Sequence, residues 1–259
     1  MPEIVKYVLF DGAHHQKLKP LTLTRPVADL RIGIYTIQEK WSLALNGKVA
    51  IRTKDYLRKK FNSHLSSAEI GISASLFPSL DFIDALDSIE ENTIVMKNGK
   101  VLAISPLPED NDEIDSKLSS YRIVQFTGEI QSIEKPMDIF ILNASEINRD
   151  LNFIQKDNTY CNNYGTGNLF IGDDIYIEDG AIINGATLNS NDGPIYISKT
   201  AEVMEGSNLK GPLVIMENSV VKMGSKIYGP TTIGPSCKIG GELNNVVFQG
   251  FSNKAHDGF

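Results

Sequence analysis

The chain has 259 residues, and its 25 Lys and Arg against 32 Asp and Glu give a formal net charge of −7. This acidic balance argues against partners that need a basic footprint, so we expect neither nucleic acid nor a membrane surface as a partner. No apolar stretch approaches the roughly 18–20 residues of a membrane span. With two cysteines, Cys161 and Cys237, at no metal-ligand spacing, we expect a reducing, cytoplasmic setting.

The first part of the chain alternates candidate strands and helices. The pattern predicts strands at 4–10 and 49–52, a hairpin over 93–104 turning at Asn98-Gly99, and helices at 26–45, 54–61, 77–86 and 137–154. An acidic loop is predicted at 109–115 and a linker near 156–168. Such alternation is typical of an α/β layer domain, which we place at residues 1–160.

The loop after the first strand carries the first chemical signal. It runs from Asp11-Gly12 through Gln16-Lys17 to Pro20-Leu21-Thr22, with Arg25 and Pro26 following. In order and spacing it resembles the glycine-rich loop of sugar-phosphate nucleotidyltransferases, whose backbone N–H groups cradle a nucleoside triphosphate. The resemblance implies a catalytic role for Lys17, where the family has arginine, and substrate-binding roles for Asp11, Gly12, Gln16 and Arg25.

Two departures and one further motif bear on this resemblance. Ala13 and His15 replace glycines, and we interpret the pair His14-His15 as loop polarity, with a phosphate contact as the alternative. The segment Glu134-Lys135-Pro136 resembles the motif with which some of these enzymes contact the sugar phosphate, which implies substrate binding by Glu134 and Lys135. The resemblance also implies Mg²⁺, although the sequence identifies no ligands for it.

A repeat of six residues occupies the second part of the chain. An aliphatic residue recurs at Ile197, Val203, Leu209, Ile215, Val221, Ile227, Ile233 and Ile239. The residue four positions after each is usually small, and we expect it at the corners of a coil; Cys237 and Leu243 are the last two of this set. The same period reaches back to Ile171, with a small insertion at Ser190-Asn191-Asp192-Gly193. One short strand and one turn per repeat predict a left-handed parallel β-helix over 161–259, with the aliphatic residues inward.

The segment from Ser252 to Phe259 resembles part of the acetyltransferase domain of bifunctional N-acetylglucosamine-1-phosphate uridyltransferase/glucosamine-1-phosphate acetyltransferases. The resemblance implies that His256 is a general base, that Lys254 binds substrate, and that acetyl-CoA or another acyl-CoA is a co-substrate. It also implies a homotrimer. Because the chain stops within a coil without a cap, we expect the β-helix to be truncated at its C-terminus.

Three functions follow as hypotheses. The first is transfer of a nucleotidyl group from a nucleoside triphosphate to a sugar 1-phosphate, in nucleotide-sugar biosynthesis. The second is acyl-CoA-dependent N-acylation of a sugar on the β-helix. The third is a non-catalytic, trimeric scaffold that binds a sugar nucleotide.

Overall fold

The computed structural model describes residues 6–61, 70–108, 118–154 and 165–257. The chain forms two compact units, one of Met1–Leu30 with Tyr35–Pro136 and one of Arg31–Ile34 with Met137–Phe259. The predicted boundary at 160/161 and the acidic loop at 109–115 lie outside the described residues, as does most of the linker at 156–168. The boundary therefore stays a prediction.

In its described residues, the α/β unit has six strands and four helices. The strands are β1 (Tyr7–Phe10), β2 (Val49–Arg52), β3 (Ile70–Ser73), β4 (Thr93–Lys97), β5 (Lys100–Ser105) and β6 (Arg122–Gln125). The helices are α1 (His14–Lys17), α2 (Ile37–Ala44), α3 (Asp55–Phe61) and α4 (Leu80–Asp87), with 3-10 turns at Leu21–Leu23, Val27–Asp29 and Leu118–Ser120. The α/β class is thus confirmed, and so is the hairpin turning at Asn98-Gly99.

The strand order β2-β1-β3-β5-β4-β6 fixes which chain ends share an edge of this mixed sheet. Strand β1 pairs in parallel with β2 and with β3, whereas β5 runs antiparallel between β3 and β4. Strand β4 therefore runs in the same direction as β1 and β3. The carboxyl ends of these three strands and the Asn98-Gly99 turn consequently lie at one edge.

The predicted helix over 26–45 was wrong in its first half. Helix α2 begins only after Thr36, whose side chain accepts a hydrogen bond from the Glu39 backbone N–H while Glu39 accepts one from the Thr36 N–H. This reciprocal capping box satisfies N–H groups at the start of the helix and sets its boundary. Trp41 is buried in the core, as predicted, and donates its indole N–H to the Leu76 carbonyl at 2.8 Å.

Within the described residues, fifteen short strands build the β-helix of the second unit.

 They are β7 (Leu169–Ile171), β8 (Ile175–Ile177), β9 (Ile182–Ile183), β10 (Thr187–Asn189), β11 (Ile195–Ile197), β12 (Glu202–Val203), β13 (Asn208–Lys210), β14 (Leu213–Ile215), β15 (Val220–Val221), β16 (Lys226–Tyr228), β17 (Thr231–Ile233), β18 (Lys238–Ile239), β19 (Glu242–Asn244), β20 (Val247–Phe248) and β21 (Asn253–Lys254). Every third strand pairs in parallel, which gives three five-stranded sheets and about five coils. The parallel β-helix is thus confirmed.

The six-residue period corresponds to the interior of this β-helix. The eight aliphatic residues from Ile197 to Ile239 are all buried, and Ile197, Ile215 and Ile233 face one another in register on β11, β14 and β17. The prediction that Leu243 lies at a corner was wrong. Leu243 pairs with Ile227 and is an inward-facing strand residue. The coil that contains Leu243 is therefore shorter than those before it. Cys237 is buried in the core, as its predicted corner position requires, and burial raises the pKa of its thiol.

Two helices and a four-residue segment complete the second unit. The helices are α5 (Asp138–Ile141) and α6 (Asn143–Ile154), which confirm the helical prediction for 137–154. The segment Arg31–Ile34 is held by Asn143, whose side chain accepts from the Gly33 N–H at 2.8 Å, and by Thr232, which donates to the Gly33 carbonyl at 3.1 Å. Residues far from the repeat in sequence thus pack on the β-helix.

Candidate functional site

The edge of the α/β sheet at which β1, β3 and β4 end carries two of the motifs that the sequence singles out, the loop after β1 and the segment around Glu134. The loop from Asp11 follows β1, and Ser73 and Ser75 lie at the end of β3. The chain places β2 on one side of β1 and β3 on the other, so the strand order reverses at this point. Open α/β sheets bind ligands in the crevice outside such a switch point.

Asp11 holds the loop that starts at this edge. Its buried carboxylate accepts hydrogen bonds from the Val27 N–H at 2.9 Å, from the Thr53 hydroxyl at 2.5 Å and from His15 Nδ1 at 3.0 Å. These three donors occupy the carboxylate. They fix the start of the loop, and the substrate-binding role that the resemblance implies for Asp11 stays a prediction.

Gly12 allows the loop to turn directly after the strand. Its φ of +50° lies in the left-handed region, which residues with a Cβ adopt only at a cost of roughly 1–2 kcal/mol. A Cβ at this position would also lie 3.4 Å from the Phe10 ring. The predicted backbone role of Gly12 is consistent with this conformation.

Glu134 is the centre of a cluster of charged side chains. The segment before it runs beside the end of β3, with the Ile133 N–H donating to the Ser75 carbonyl at 2.9 Å. The Glu134 carboxylate lies 2.8 Å from Lys100 Nζ, 3.3 Å from His14 Nε2 and 3.7 Å from Lys17 Nζ. We call Glu134, Lys100, Lys17 and His14 the edge cluster. It joins the loop after β1, the β4–β5 hairpin and the Glu-Lys-Pro motif.

For both Glu134 and His14, burial and the neighbouring charges shift the pKa in opposite directions. Partial burial alone would raise the pKa of Glu134, but the hydrogen bond from Lys100 and the nearby His14 outweigh it and lower that pKa to about 2. Burial lowers the pKa of His14 below its usual 6.5, although Glu134 opposes the shift. Near neutral pH the cluster thus holds an ionised carboxylate, two ammonium groups and a neutral imidazole.

A cleft of about 140 Å³ opens beside the edge cluster. Its lining includes His14, Ser73, Lys97, Lys100, Ser132 and Glu134. The volume is below the about 300–1,000 Å³ of pockets that enclose a drug-sized ligand, so it suits one phosphate or one sugar ring.

Comparison with known families agrees with this geometry. The family model described as "Sugar nucleotidyl transferase" matches residues 7–159. This chain belongs to the sugar nucleotidyl transferase family. The match covers more than half of the chain and includes the loop after β1, the β4–β5 hairpin and Glu134. No curated protein matches the sequence.

The sugar nucleotidyl transferase motifs predict three further site residues, Gln16, Arg25 and Lys135. Gln16 and Lys135 have exposed side chains, and the Arg25 guanidinium lies 3.5 Å from the Asp29 carboxylate. The substrate-binding roles of Gln16, Arg25 and Lys135 stay predictions.

Sequence reasoning missed three members of this site. His14 was interpreted as loop polarity, and the two lysines on either side of the turn, Lys97 and Lys100, were not singled out. The signal was the tetrapeptide Lys97-Asn98-Gly99-Lys100, which places two cations at a hairpin tip. Only the strand order shows that this hairpin tip lies beside the loop after β1.

In the part of the chain that the structure describes, the Mg²⁺ that the sugar nucleotidyl transferase resemblance implies has no fitting set of ligands. Within the described ranges, no group of three or more His, Cys, Asp or Glu side chains is arranged to hold a metal ion. Asp11 is occupied by three donors, and Glu134 is surrounded by cations. We therefore derive no chemical step through a metal held by these residues.

On the β-helix, the two predicted residues lie on the last described coil. Lys254 takes the register position that Ile239 occupies one coil earlier, and its Nζ donates to the carbonyls of Gly240 at 3.0 Å and His256 at 2.9 Å. His256 is exposed, with Nδ1 2.7 Å from the Asp257 carbonyl oxygen. Phe259 lies outside the described residues.

Among the described residues, no helix has the length and apolar character needed to cross a membrane.

Proposed function

We propose that this protein transfers a nucleotidyl group from a nucleoside triphosphate to a sugar 1-phosphate, as a step of nucleotide-sugar biosynthesis. One observation carries the proposal: Lys17, Lys100 and Glu134 meet beside the phosphate-loop motif at the switch point of the sheet. Family membership supports the same class of reaction.

The reaction requires charge stabilisation more than proton transfer. A phosphate oxygen of the sugar 1-phosphate is already anionic, so it attacks the α-phosphorus without a general base, and pyrophosphate leaves. Lys17 and Lys100 would offset the charge that builds up on the phosphoryl oxygens. The loop backbone around Gly12 would hold the triphosphate.

Glu134 and His14 would orient the sugar phosphate. An ionised carboxylate accepts hydrogen bonds only, so Glu134 suits sugar hydroxyls and holds the two lysine ammonium groups near each other. Neutral His14 must donate its Nε2–H to Glu134, because that carboxylate has no proton to give. Mg²⁺ stays an expectation from the resemblance, and no step above depends on it.

A pyrophosphate-release assay with each common nucleoside triphosphate and with glucose 1-phosphate or glucosamine 1-phosphate tests the proposal. We expect Lys100→Ala to lower kcat/KM by about 10²-fold, the usual effect of removing one stabilising donor. Lys238→Ala is the matched control, because Lys238 is an exposed lysine on the β-helix strand β18. Equal activity of these two variants, or no release with any substrate pair, would contradict the proposal.

A second candidate function is acyl transfer on the β-helix. A carbonyl oxygen only accepts, so the 2.7 Å contact with Asp257 places the proton of neutral His256 on Nδ1 and leaves the Nε2 lone pair available as a base. Release of free CoA from acetyl-CoA in the presence of glucosamine 1-phosphate, abolished by His256→Ala, would support it. Release that is unchanged in His256→Ala would sink it.

Two accompanying proposals concern assembly and setting. We propose a homotrimer, on the resemblance of the β-helix, and sedimentation equilibrium would give the mass of three chains or refute it. The cytoplasmic setting stays a proposal supported by the cysteine content. A trimer that binds sugar nucleotides but catalyses neither reaction would favour the scaffold hypothesis.

A further inference from the structure

The loop at 190–193, which interrupts the six-residue repeat, lies outside the hydrophobic core of the β-helix. It connects β10 to β11 and holds the extra length that the repeat does not need. The Asn191 N–H donates to the Asn189 side chain at 2.9 Å, and the Asp192 carboxylate lies 2.5 Å from Lys210 Nζ on the next coil. The loop therefore places a carboxylate beside the outward surface of the β-helix.

The surface beside Asp192 is the outward face of β10, β13 and β16. Leu188, Leu209 and Ile227 belong to the hydrophobic core, so the residues on either side of each point outward. The strand registers align these outward residues in two rows, Thr187–Asn208–Lys226 and Asn189–Lys210–Tyr228. With the usual spacings between strands and along a strand, the two rows cover roughly 10 Å by 7 Å. A surface of this size matches one sugar ring that carries one phosphate.

A groove of about 600 Å³ lies over these two rows. Its lining includes all six outward side chains together with Asp192. The volume falls within the about 300–1,000 Å³ that is typical of small-molecule sites, and it exceeds the 140 Å³ of the cleft beside the edge cluster. We call the six outward side chains and Asp192 the loop groove.

The charges of the loop groove favour an anion. Lys210 and Lys226 lie on neighbouring strands and in different rows, with Cα atoms roughly 8 Å apart, so one phosphate can accept hydrogen bonds from both ammonium groups. These two cations outnumber the single carboxylate of Asp192. The local charge is therefore opposite in sign to the net charge of −7 of the whole chain.

The other groups of the loop groove suit a sugar ring. Asn208 donates to the Gly206 carbonyl at 3.1 Å, which leaves its amide oxygen to accept from a sugar hydroxyl. Asn189 uses its amide oxygen toward the inserted loop, which leaves its amide nitrogen to donate. The Tyr228 hydroxyl donates to Glu242 on β19 and so holds an aromatic ring at the border of the groove. The apolar CH groups of a sugar pack well against such a ring.

We propose that the loop groove is a binding site for a phosphorylated hexose. The phosphate lies between Lys210 and Lys226, and the sugar hydroxyls face Asn189, Asn208 and Asp192. The groove belongs to a different sheet of the β-helix from Lys254, and the edge cluster belongs to the other unit of the chain. The proposal therefore goes beyond both functions proposed above and rests on neither.

Calorimetric titration of the full chain with glucose 6-phosphate, and then with its mannose and galactose counterparts, tests the proposal. We expect saturable binding of at least one of the three. Lys226→Ala should weaken that binding by about 10-fold or more, the usual effect of losing one hydrogen bond from a charged donor. Lys238→Ala is the matched control, because Lys238 is an exposed lysine on another sheet of the β-helix, and it should leave the affinity unchanged.

Two partial probes test the composition of the site. Inorganic phosphate and the free hexose should each bind at least about 10-fold more weakly than the hexose phosphate, because each loses the contacts of the missing part. Asp192→Ala should narrow the difference between hexose phosphate and inorganic phosphate, since it removes a partner for the sugar hydroxyls and not for the phosphate. Equal affinity for the hexose phosphate and inorganic phosphate would overturn the sugar assignment.

Three further results would overturn the proposal. The first is an absence of binding of all three hexose phosphates, and the second is binding that Lys226→Ala leaves unchanged or that Lys100→Ala weakens equally. The third is a change of oligomeric mass in Lys226→Ala, measured by sedimentation equilibrium, because it would show that a second copy of the chain covers the groove. None of these results bears on pyrophosphate release, so the proposed nucleotidyl transfer is tested separately.

Discussion

The β-helix and the edge of the α/β sheet encode their structure over very different distances along the chain. In the β-helix, the same inward position of successive coils holds Ile197, Ile215 and Ile233. The pattern of buried residues therefore repeats from coil to coil. At the sheet edge, His14 meets Glu134 across 120 positions. A repeat can thus be predicted from the sequence alone. A site assembled from distant segments can be identified only when the order of the strands is known.

The largest expected effect tests whether equivalent coil positions are energetically equivalent. Ile215→Ala and Ile233→Ala each remove a fully buried side chain from the β-helix interior, and each should cost about 2–5 kcal/mol of unfolding free energy. Met223→Ala, at an exposed position, should cost under about 0.5 kcal/mol. Urea unfolding followed by circular dichroism gives the three values. A large difference between the unfolding free energies lost in the two isoleucine variants would contradict the energetic equivalence of the coils.

The second effect compares one chemical change at two carboxylates of the α/β unit. Asp11→Asn places an amide N–H against donors in a buried site and should cost about 2–3 kcal/mol. Glu134→Gln changes a partly exposed ion cluster and should cost under about 1 kcal/mol. Thermal unfolding of both variants measures the contrast. Equal losses of unfolding free energy in the two variants would show that the greater burial of Asp11 does not determine the effect.

The third effect is a pH dependence of the edge cluster. The pKa of Glu134 is about 2 in the folded chain against an ordinary 4.5, so its contribution to stability is present above about pH 4.5 and is lost as the pH falls toward 2. The lowered pKa of His14 removes stability in the same direction below about pH 6.5. The stability difference between wild type and Glu134→Gln should therefore shrink between pH 4.5 and 2. A difference that is constant over this window would contradict the assigned ion cluster.

The smallest effect concerns a corner of the β-helix. Ser236 has a φ of +56°, in the left-handed region that glycine adopts without steric cost. Ser236→Gly should stabilise the chain by about 0.5 kcal/mol, because relief of roughly 1 kcal/mol of strain exceeds the added entropy of the unfolded chain. Ser236→Ala, which keeps the strain, is the control and should not raise the melting temperature. Destabilisation by glycine would show that the corner is not strained.

Several features beyond the repeat were available from the sequence. The hairpin at Asn98-Gly99 and the burial of Trp41 followed from turn chemistry and helical spacing. The start of α2 was also available, because Thr36 and Glu39 form a capping-box pattern that apolar spacing alone passes over.

Other features depended on tertiary structure. The shorter coil at Leu243 departs from the period, so only strand pairing reveals it. His15 was interpreted with His14 as loop polarity, with a phosphate contact as the alternative. Its partners in the structure, Asp11 and Tyr56, lie on opposite sides of it in sequence, and no local pattern joins all three. The edge cluster likewise required β5 to be inserted between β3 and β4.

The four residues Arg31–Ile34 mean that no single cut divides this chain into its two units. The chain enters the second unit at Arg31, leaves it after Ile34 and returns at Met137. A fragment of residues 137–259 would lose the Gly33 N–H and carbonyl that pair with buried Asn143 and Thr232. An expressed second unit therefore needs both stretches of the chain to keep these hydrogen bonds.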